Sequence, residues 1–308
     1  MRIGIVVDSS CDLPKSYLEG HKINVIPMCI QGGDTPFYDY REKKTTTDFN
    51  SYIKNNKVNY EALSPTKEEI RQFFLTKIII NYDYVIFITA SSYRSKTYDN
   101  AIAAVNSILT EYKPIRDNAG IRRPFQVRVI DSQTVSSGQG IVVAEVIKAL
   151  KKYASPLETT QTALDIAKCT QAYVLPSDLY YLYEQAKRKG DKSVGLLEYT
   201  VASALNIKPI LMSHGGTTVV ASKPKGFDEG TQKLFEFAGE EIKKGLLSNQ
   251  ICISYGGNRE KIKDFPGFAE FFKIAQQYQT ELLISKMSMT AIVNVGPNSF
   301  CIAFATKN

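Results

Sequence analysis

Histidine is scarce in this 308-residue chain: only His21 and His214 occur. A Ser-His-Asp hydrolase would have to use one of them. His214 lies in the turn-like stretch Ser213-His214-Gly215-Gly216-Thr217, which argues against a triad and equally against a metal site built on histidine. The five cysteines (11, 29, 169, 252 and 301) are odd in number and form no C-x-x-C. Neither a zinc knuckle nor a disulfide framework is indicated, and they read as small buried apolar residues. No apolar run reaches the ~18 residues of a membrane span, and the N-terminus enters a strand-like run with no signal-peptide pattern, so a cytoplasmic location is expected. Long basic blocks are missing too. The net charge of +7 is spread over scattered Lys and Arg, which does not indicate nucleic acid but favours attraction to an anionic partner or membrane surface. No repeat, low-complexity stretch, heptad or Walker A lysine loop occurs, and a monomer is expected.

What is present describes an ordinary globular protein, 44% hydrophobic and 22% charged. The length suggests two domains, each able to bury a core. Lys151 to Thr160, containing Ser155-Pro156, reads as the boundary, giving domains 1–155 and 156–308.

The chain opens on Ile3-Gly4-Ile5-Val6-Val7, an apolar run of strand length that fits a strand buried on both faces in a parallel sheet. Asp8 ends it, and Ser9, Ser10 and Asp12 suit a turn and a helix N-cap ahead of Pro14. Residues 23–30 read as the second strand, 84–88 as the third and 127–130 as the fourth. Residues 48–53 read as a helix and 54–63 as polar and irregular. Thr66 with Glu69 is a capping box, and Ile70, Phe73, Phe74 and Ile78 repeat at helical spacing as core. A helix over 97–112 points Ala101, Ala104, Val105, Ile108 and Leu109 inward, and another covers 141–153. Three strand ends carry hydroxyl-rich loops: Asp8-Ser9-Ser10, Ser91-Ser92 and Asp131-Ser132. Parallel strands place such ends on one edge of the sheet, where ligands bind in open α/β folds. In the second half, helices near 158–168, 177–189, 193–205, 228–245 and 259–279 alternate with strands near 171–175, 207–212, 217–222, 250–255, 281–287 and 299–305. The Gly215-Gly216 turn signals a hairpin, so part of that sheet is antiparallel. The predicted class is α/β: an N-terminal parallel-sheet, Rossmann-like domain and a C-terminal mixed α/β domain.

These residues, in this order, resemble the DegV family of bacterial fatty-acid-binding proteins. Asp8-Ser9-Ser10-Cys11-Asp12-Leu13-Pro14 is similar to the family's opening D-S-[ST]-x-D-L-P, and Ser91-Ser92-Tyr93-Arg94-Ser95-Lys96-Thr97-Tyr98 to its S-S-x-L-S-G-T-Y. Asp131-Ser132 with Ser136, Gly138 and Gly140 is similar to D-S-x-x-x-S-x-G-x-G. Asn206-Ile207-Lys208-Pro209-Ile210-Leu211 matches a typical second-domain segment, and Gly296-Pro297 part of an H-x-G-P-G ending. The resemblance implies a long-chain fatty acid held inside, its carboxylate at hydroxyl groups near the domain junction, with a separate fatty acid kinase as partner and no turnover or cofactor of the protein's own. On this reading Ser91, Ser92, Ser95, Ser64 and Asn294 hold the carboxylate. Asp8, Ser9, Ser10, Asp131, Ser132 and Gly296 shape the supporting loops. Several positions depart from the family. Ala62 stands where it has threonine and Asn294 where it has histidine. Arg188-Lys189-Gly190-Asp191-Lys192-Ser193 stands in place of a G-G-R-I-S segment, and Arg94 and Lys96 enter the serine loop.

Two other readings stay open. Asp8 at a strand end, or Ser91, is a candidate nucleophile for a phosphotransferase or hydrolase, although Ser10 stands where a second aspartate is usual. The serine loops also suit helix caps alone, and a different amphipathic ligand is the remaining alternative.

Overall fold

A computed structural model describes residues 1–32, 35–42, 46, 49, 52–53, 60–153, 155–188, 200 and 202–307. Three sheets organise them. The first is a four-stranded parallel sheet in the order β2-β1-β6-β7, made of β1 (Ile3–Asp8), β2 (Asn24–Ile26), β6 (Tyr84–Thr89) and β7 (Gln126–Asp131). β1 is central and buried on both faces from Gly4 onward, as its unbroken apolar run requires. A small antiparallel sheet joins β4 (Phe37–Tyr38), β3 (Cys29–Gln31) and β5 (Glu61–Leu63) in that order. The third sheet runs β10-β9-β8-β13-β11-β12. It contains β8 (Thr170–Leu175), β9 (Ile210–His214), β10 (Thr217–Ser222), β11 (Gln250–Tyr255), β12 (Glu281–Lys286) and β13 (Phe300–Ala305). Only β11 and β12 are parallel; the remaining pairs are antiparallel, including the hairpin at Gly215-Gly216.

The helices that lie wholly within the described residues include α1 (Lys15–Gly20), α2 (Lys67–Phe73), α3 (Thr97–Asn118), α4 (Ser137–Tyr153), α5 (Pro156–Cys169), α6 (Leu179–Arg188), α7 (Phe227–Lys244), α8 (Phe268–Gln277) and α9 (Met289–Val295). The capping box forms: Glu69 N–H donates to Thr66 Oγ1 at 3.2 Å and Thr66 N–H to Glu69 Oε2 at 2.7 Å. Ile70, Phe74 and Ile78 are fully buried against β6, the last two in a π-helical turn that continues α2. Helix α4 lies between the two larger sheets. It packs on α5 and touches β6, β8, β11 and β13. Its Ile141, Val142, Val143 and Val146 share one core with Ile5, Val7 and Ile88 of the first sheet and Cys252, Cys301 and Ala303 of the third.

Several expectations need correction. Residues 23–30 are not one strand: β2 and β3 belong to different sheets, separated at Pro27, which has no N–H to continue a ladder. Met28 N–H donates to Ser9 Oγ at 3.0 Å instead. The stretch 54–63 contains β5. Leu109 is 42% exposed. It lies about 80° around the helix from Ala101, at the edge of the buried stripe. The same helix runs past Pro114 to Asn118. Residues 259–279 are broken at Pro266-Gly267 into a 3-10 turn, Arg259–Asp264, and α8. Helix α9 was not anticipated. The expected helices over 48–53 and 193–205 fall largely outside the described residues, as does most of 188–193. Among the described residues no helix is long and apolar enough to cross a membrane.

Candidate functional site

The carboxyl ends of β1, β6 and β7 converge. Ala90 N–H donates to Asp8 Oδ2 at 2.7 Å, Ser91 N–H to the Thr134 carbonyl at 3.0 Å and Ser132 N–H to the Thr89 carbonyl at 3.1 Å. Asp8 is the knot. Its carboxylate also accepts from Ser10 N–H, the Ser10 hydroxyl and Gln139 Nε2. Burial pushes its pKa up, and these hydrogen bonds pull it back part of the way. Both oxygens of Asp8 are engaged in holding loops, and the residue does not line the cavity described below.

Ser92 and Asp131 are likewise engaged with each other. The Ser92 hydroxyl donates to Asp131 Oδ2 at 2.6 Å, while Ser92 N–H and Gln133 N–H donate to Asp131 Oδ1 at 3.2 and 2.8 Å. The Ser132 hydroxyl donates to the Thr134 carbonyl at 3.2 Å. The Ser91 and Thr134 hydroxyls are buried with no hydrogen-bond partner among the described residues. The expected capping of the first helix by Ser9, Ser10 or Asp12 does not occur: α1 follows Pro14 with no side-chain cap. Ser9 and Asp12 reach across to the second half of the chain instead, while the Ser10 hydroxyl donates to Asp8 and Gln139. Ser9 Oγ lies 3.3 Å from Thr290 Oγ1. Asp12 accepts from Ser288 N–H at 2.8 Å, from the Ser254 hydroxyl at 2.8 Å and from the Ser136 hydroxyl, and pairs with Arg41 at 3.2 Å.

A cavity of about 880 Å³ opens between the two halves. The polar groups of its wall include Ser10, Ser64, Ser95, Ser136, Thr290 and Asn294, with Arg94 and Lys223 as cations. Most of the rest is apolar, from Met28, Ala62 and Val135 of the first half to Leu179, Leu182 and Ala186 of α6, Leu211 and Val220 of the hairpin, and Val295 of α9. Among the described residues no Asp or Glu lines it. Ser64 Oγ and Ser95 Oγ are 2.9 Å apart, Ser95 Oγ lies 2.7 Å from Thr97 Oγ1, and Ser64 Oγ accepts from Lys96 N–H at 3.0 Å. This hydroxyl chain lies at the start of α3, whose first residue is Thr97. Asn294 Nδ2 donates to the Thr290 carbonyl at 2.7 Å, leaving a second amide hydrogen.

The structure thus brings Ser64, Ser95, Asn294 and Ser10 to one cavity. Ser91 and Ser92 lie just behind its wall, and Asp8, Ser9, Asp131 and Ser132 brace the loops. Gly296 ends α9 at φ +93°, where a β-carbon would overlap the Tyr181 ring. Sequence reasoning missed Asp39, Arg41 and Thr290. Asp39 accepts from Thr290 N–H and from its hydroxyl, both at 3.0 Å, and Arg41 Nη2 donates to the Lys286 carbonyl at 2.9 Å. Asp39 and Arg41 follow the short strand β4, and their partners are about 250 residues away. No local pattern announces such contacts.

Comparison with known proteins follows the same outline. The family model described as uncharacterised protein, DegV family, matches residues 2–307. A DegV domain-containing protein of Xanthomonas axonopodis pv. citri is 39% identical over 309 residues, spanning 100% of this chain and 98% of that protein. Among solved structures, DegV of Bacillus subtilis, described as a fatty acid binding protein, superposes with a TM-score of 0.75 at 21% identity, over 100% of both chains. The fatty acid kinase B3 protein of Streptococcus pneumoniae, loaded with linoleic acid, gives a TM-score of 0.75 at 17% identity, again over 100% of both chains. These likenesses establish the fold.

Proposed function

The chain belongs to the DegV family, and from that premise we propose that it is a carrier for a long-chain fatty acid rather than an enzyme. The observation that carries this reading is the cavity, apolar along most of its wall and hydroxyl-bearing elsewhere. Its 880 Å³ falls within the ~300–1,000 Å³ of small-molecule sites. Each methylene buried there contributes about 0.8 kcal/mol. A carboxylate leaving water needs donors in exchange. Ser64, Ser95, the free amide hydrogen of Asn294 and the Arg94 guanidinium supply them. Ser91 and Ser92 shape the loop behind. A nucleophile at Asp8 is disfavoured because its carboxylate is fully hydrogen-bonded within the loops.

A separate fatty acid kinase acting on the held lipid is the partnership suggested by the linoleic-acid-loaded relative. The proposed carrier is a cytoplasmic monomer whose net charge of +7 favours transient contact with anionic membrane surfaces. Native mass spectrometry of the purified protein tests the central claim. A long-chain acyl mass is expected. Delipidated protein should regain it saturably and gain stability as RT ln(1 + [L]/Kd). No bound acyl lipid and no thermal shift across a panel of acyl chains would overturn it. With lipid bound, a kinase and ATP should yield acyl phosphate; its absence removes the kinase partnership alone.

A further inference from the structure

The third sheet meets the cavity through its edge hairpin, β9–β10. Ser213 and Thr218 are direct cross-strand partners, and both line the cavity. Residues two apart share a face of a strand. The next pair on that face is Leu211 and Val220, followed across β8 by Val174, and all three also line it. This wall is therefore hydroxylic next to the turn and apolar beyond. The turn end lies against the serine loop. Gly216 N–H donates to the Gln133 carbonyl at 2.8 Å, and Gly216 packs on the ring of Tyr93, which precedes Arg94 and Ser95. The Ser213–Thr218 pair thus faces the same end of the cavity as Ser64 and Ser95.

Ser213 is only 3% exposed, and neither hydroxyl has a hydrogen-bond partner among the described residues. Thr46, Thr159 and Thr162, within helices, satisfy their hydroxyls on a carbonyl four residues back in the chain. Ser213 and Thr218, inside strands, have no such helical acceptor. An unsubstituted acyl chain passing this pair desolvates both hydroxyls and returns nothing. A chain carrying its own hydroxyl there supplies one donor and an acceptor.

Resting on the acyl-carrier reading, we propose that Ser213 and Thr218 are specificity-determining residues that select an acyl chain hydroxylated near its carboxyl end. A 3-hydroxy fatty acid is the simplest such ligand. The test is competition binding on delipidated protein with hexadecanoic, 3-hydroxyhexadecanoic and 16-hydroxyhexadecanoic acids, in the unmodified protein and in Ser213→Ala combined with Thr218→Val. The 3-hydroxy acid should bind about tenfold tighter than the unsubstituted acid, the effect of one additional satisfied hydrogen bond. The 16-hydroxy acid should show no gain. The double variant should lose the ratio and bind the unsubstituted acid more tightly than the unmodified protein does. A ratio near one in the unmodified protein, or a ratio that survives in the variant, overturns the proposal. If the double variant fails to fold, Thr218→Val alone and the 16-hydroxy control decide: an undiminished ratio, or an equal gain from the 16-hydroxy acid, overturns it. Binding of hexadecanoic acid without a 3-hydroxy preference removes this proposal and leaves the carrier reading standing. Binding of none of the three removes both.

Discussion

The ring of Tyr93, in the first half of the chain, fills the space that a β-carbon on Gly216, in the second half, would occupy. Gly215 and Gly216 take φ of +55° and +79°, the backbone of a two-residue hairpin turn that glycine adopts without strain. The contact closes the tip of the β9–β10 hairpin over the serine loop. Gly216→Ala should destabilise the protein by roughly 1–3 kcal/mol, combining left-handed strain with overlap. Adding Tyr93→Ala should recover the overlap but not the strain. Urea unfolding of both single variants and the double variant measures this coupling. Strict additivity would show that the ring gives way freely and that the tip is not held by it.

Asn294 sets the expected pH behaviour of ligand binding. Its amide does not titrate, so affinity should be nearly flat between about pH 6 and 8, apart from the ligand's own ionisation. Asn294→His places an imidazole beside the hydroxyl chain. Affinity for a carboxylate should then rise as pH falls through about 6.5, where the ring gains its proton. Calorimetric titration at several pH values separates the two. A slope in the unmodified protein as steep as in the variant assigns the dependence to another group.

Asp39 acts on the cavity through Thr290. It holds the first turn of α9, which carries Ala291, Asn294 and Val295 into the wall. Burial raises its pKa, against the opposing pull of Arg41 and the hydrogen bonds from Thr290. Asp39→Asn keeps the size but weakens the acceptors. Faster amide hydrogen exchange is expected across residues 289–295, with lipid affinity several-fold lower and most of the fold protected as before. Unchanged exchange in α9 would show that Ser288 and Asp12 hold it unaided.

Asp83 governs stability in acid. Burial opposes its charge, but hydrogen bonds from Arg2 and the buried Arg116 outweigh that and hold its carboxyl well below the usual range. A lowered folded-state pKa contributes stability above the unfolded value of ~4 and loses it as pH falls further. Asp83→Asn leaves the Arg116 guanidinium buried without its anion and should cost about 3 kcal/mol at pH 7. The gap from the unmodified protein should narrow steadily below pH ~4. Chemical denaturation from pH 3 to 7 reads it, and a gap of constant size would show that Asp83 titrates alike in the folded and unfolded chain, so that its ion pairs do not hold the carboxyl down.

Much of this was legible in the sequence. Uninterrupted apolar runs in β1 and β6 mark strands buried on both faces, and each ends in short polar residues that form the expected loops. Thr66 with Glu69 announces α2 because a capping box is a purely local device. What failed was non-local or marginal. Pro27 divides an apolar run between two sheets, and Pro266-Gly267 divides an apparent helix. The Asp12–Arg41 pair and the Asp39–Thr290 bonds join residues with no shared periodicity. Of the cavity wall, Ser64, Ser95 and Asn294 could be reached through family motifs. Ser213 and Thr218 could not, because a hydroxyl in a strand has no sequence context that tells a solvated position from a lining one.

Helix α4 has a thermodynamic consequence. Its apolar face is covered from the first sheet on one side and from the third on the other, with α5 closing the flank. Melting either sheet alone would strip that helix of part of its cover and expose apolar side chains among Ile141, Val142, Val143 and Val146 to water. The two halves therefore share one heat-capacity peak. A calorimetric scan of the lipid-free chain should show a single endotherm with calorimetric and van't Hoff enthalpies in agreement, and a chain cut between residues 155 and 156 should yield two fragments that each bind the hydrophobic dye ANS.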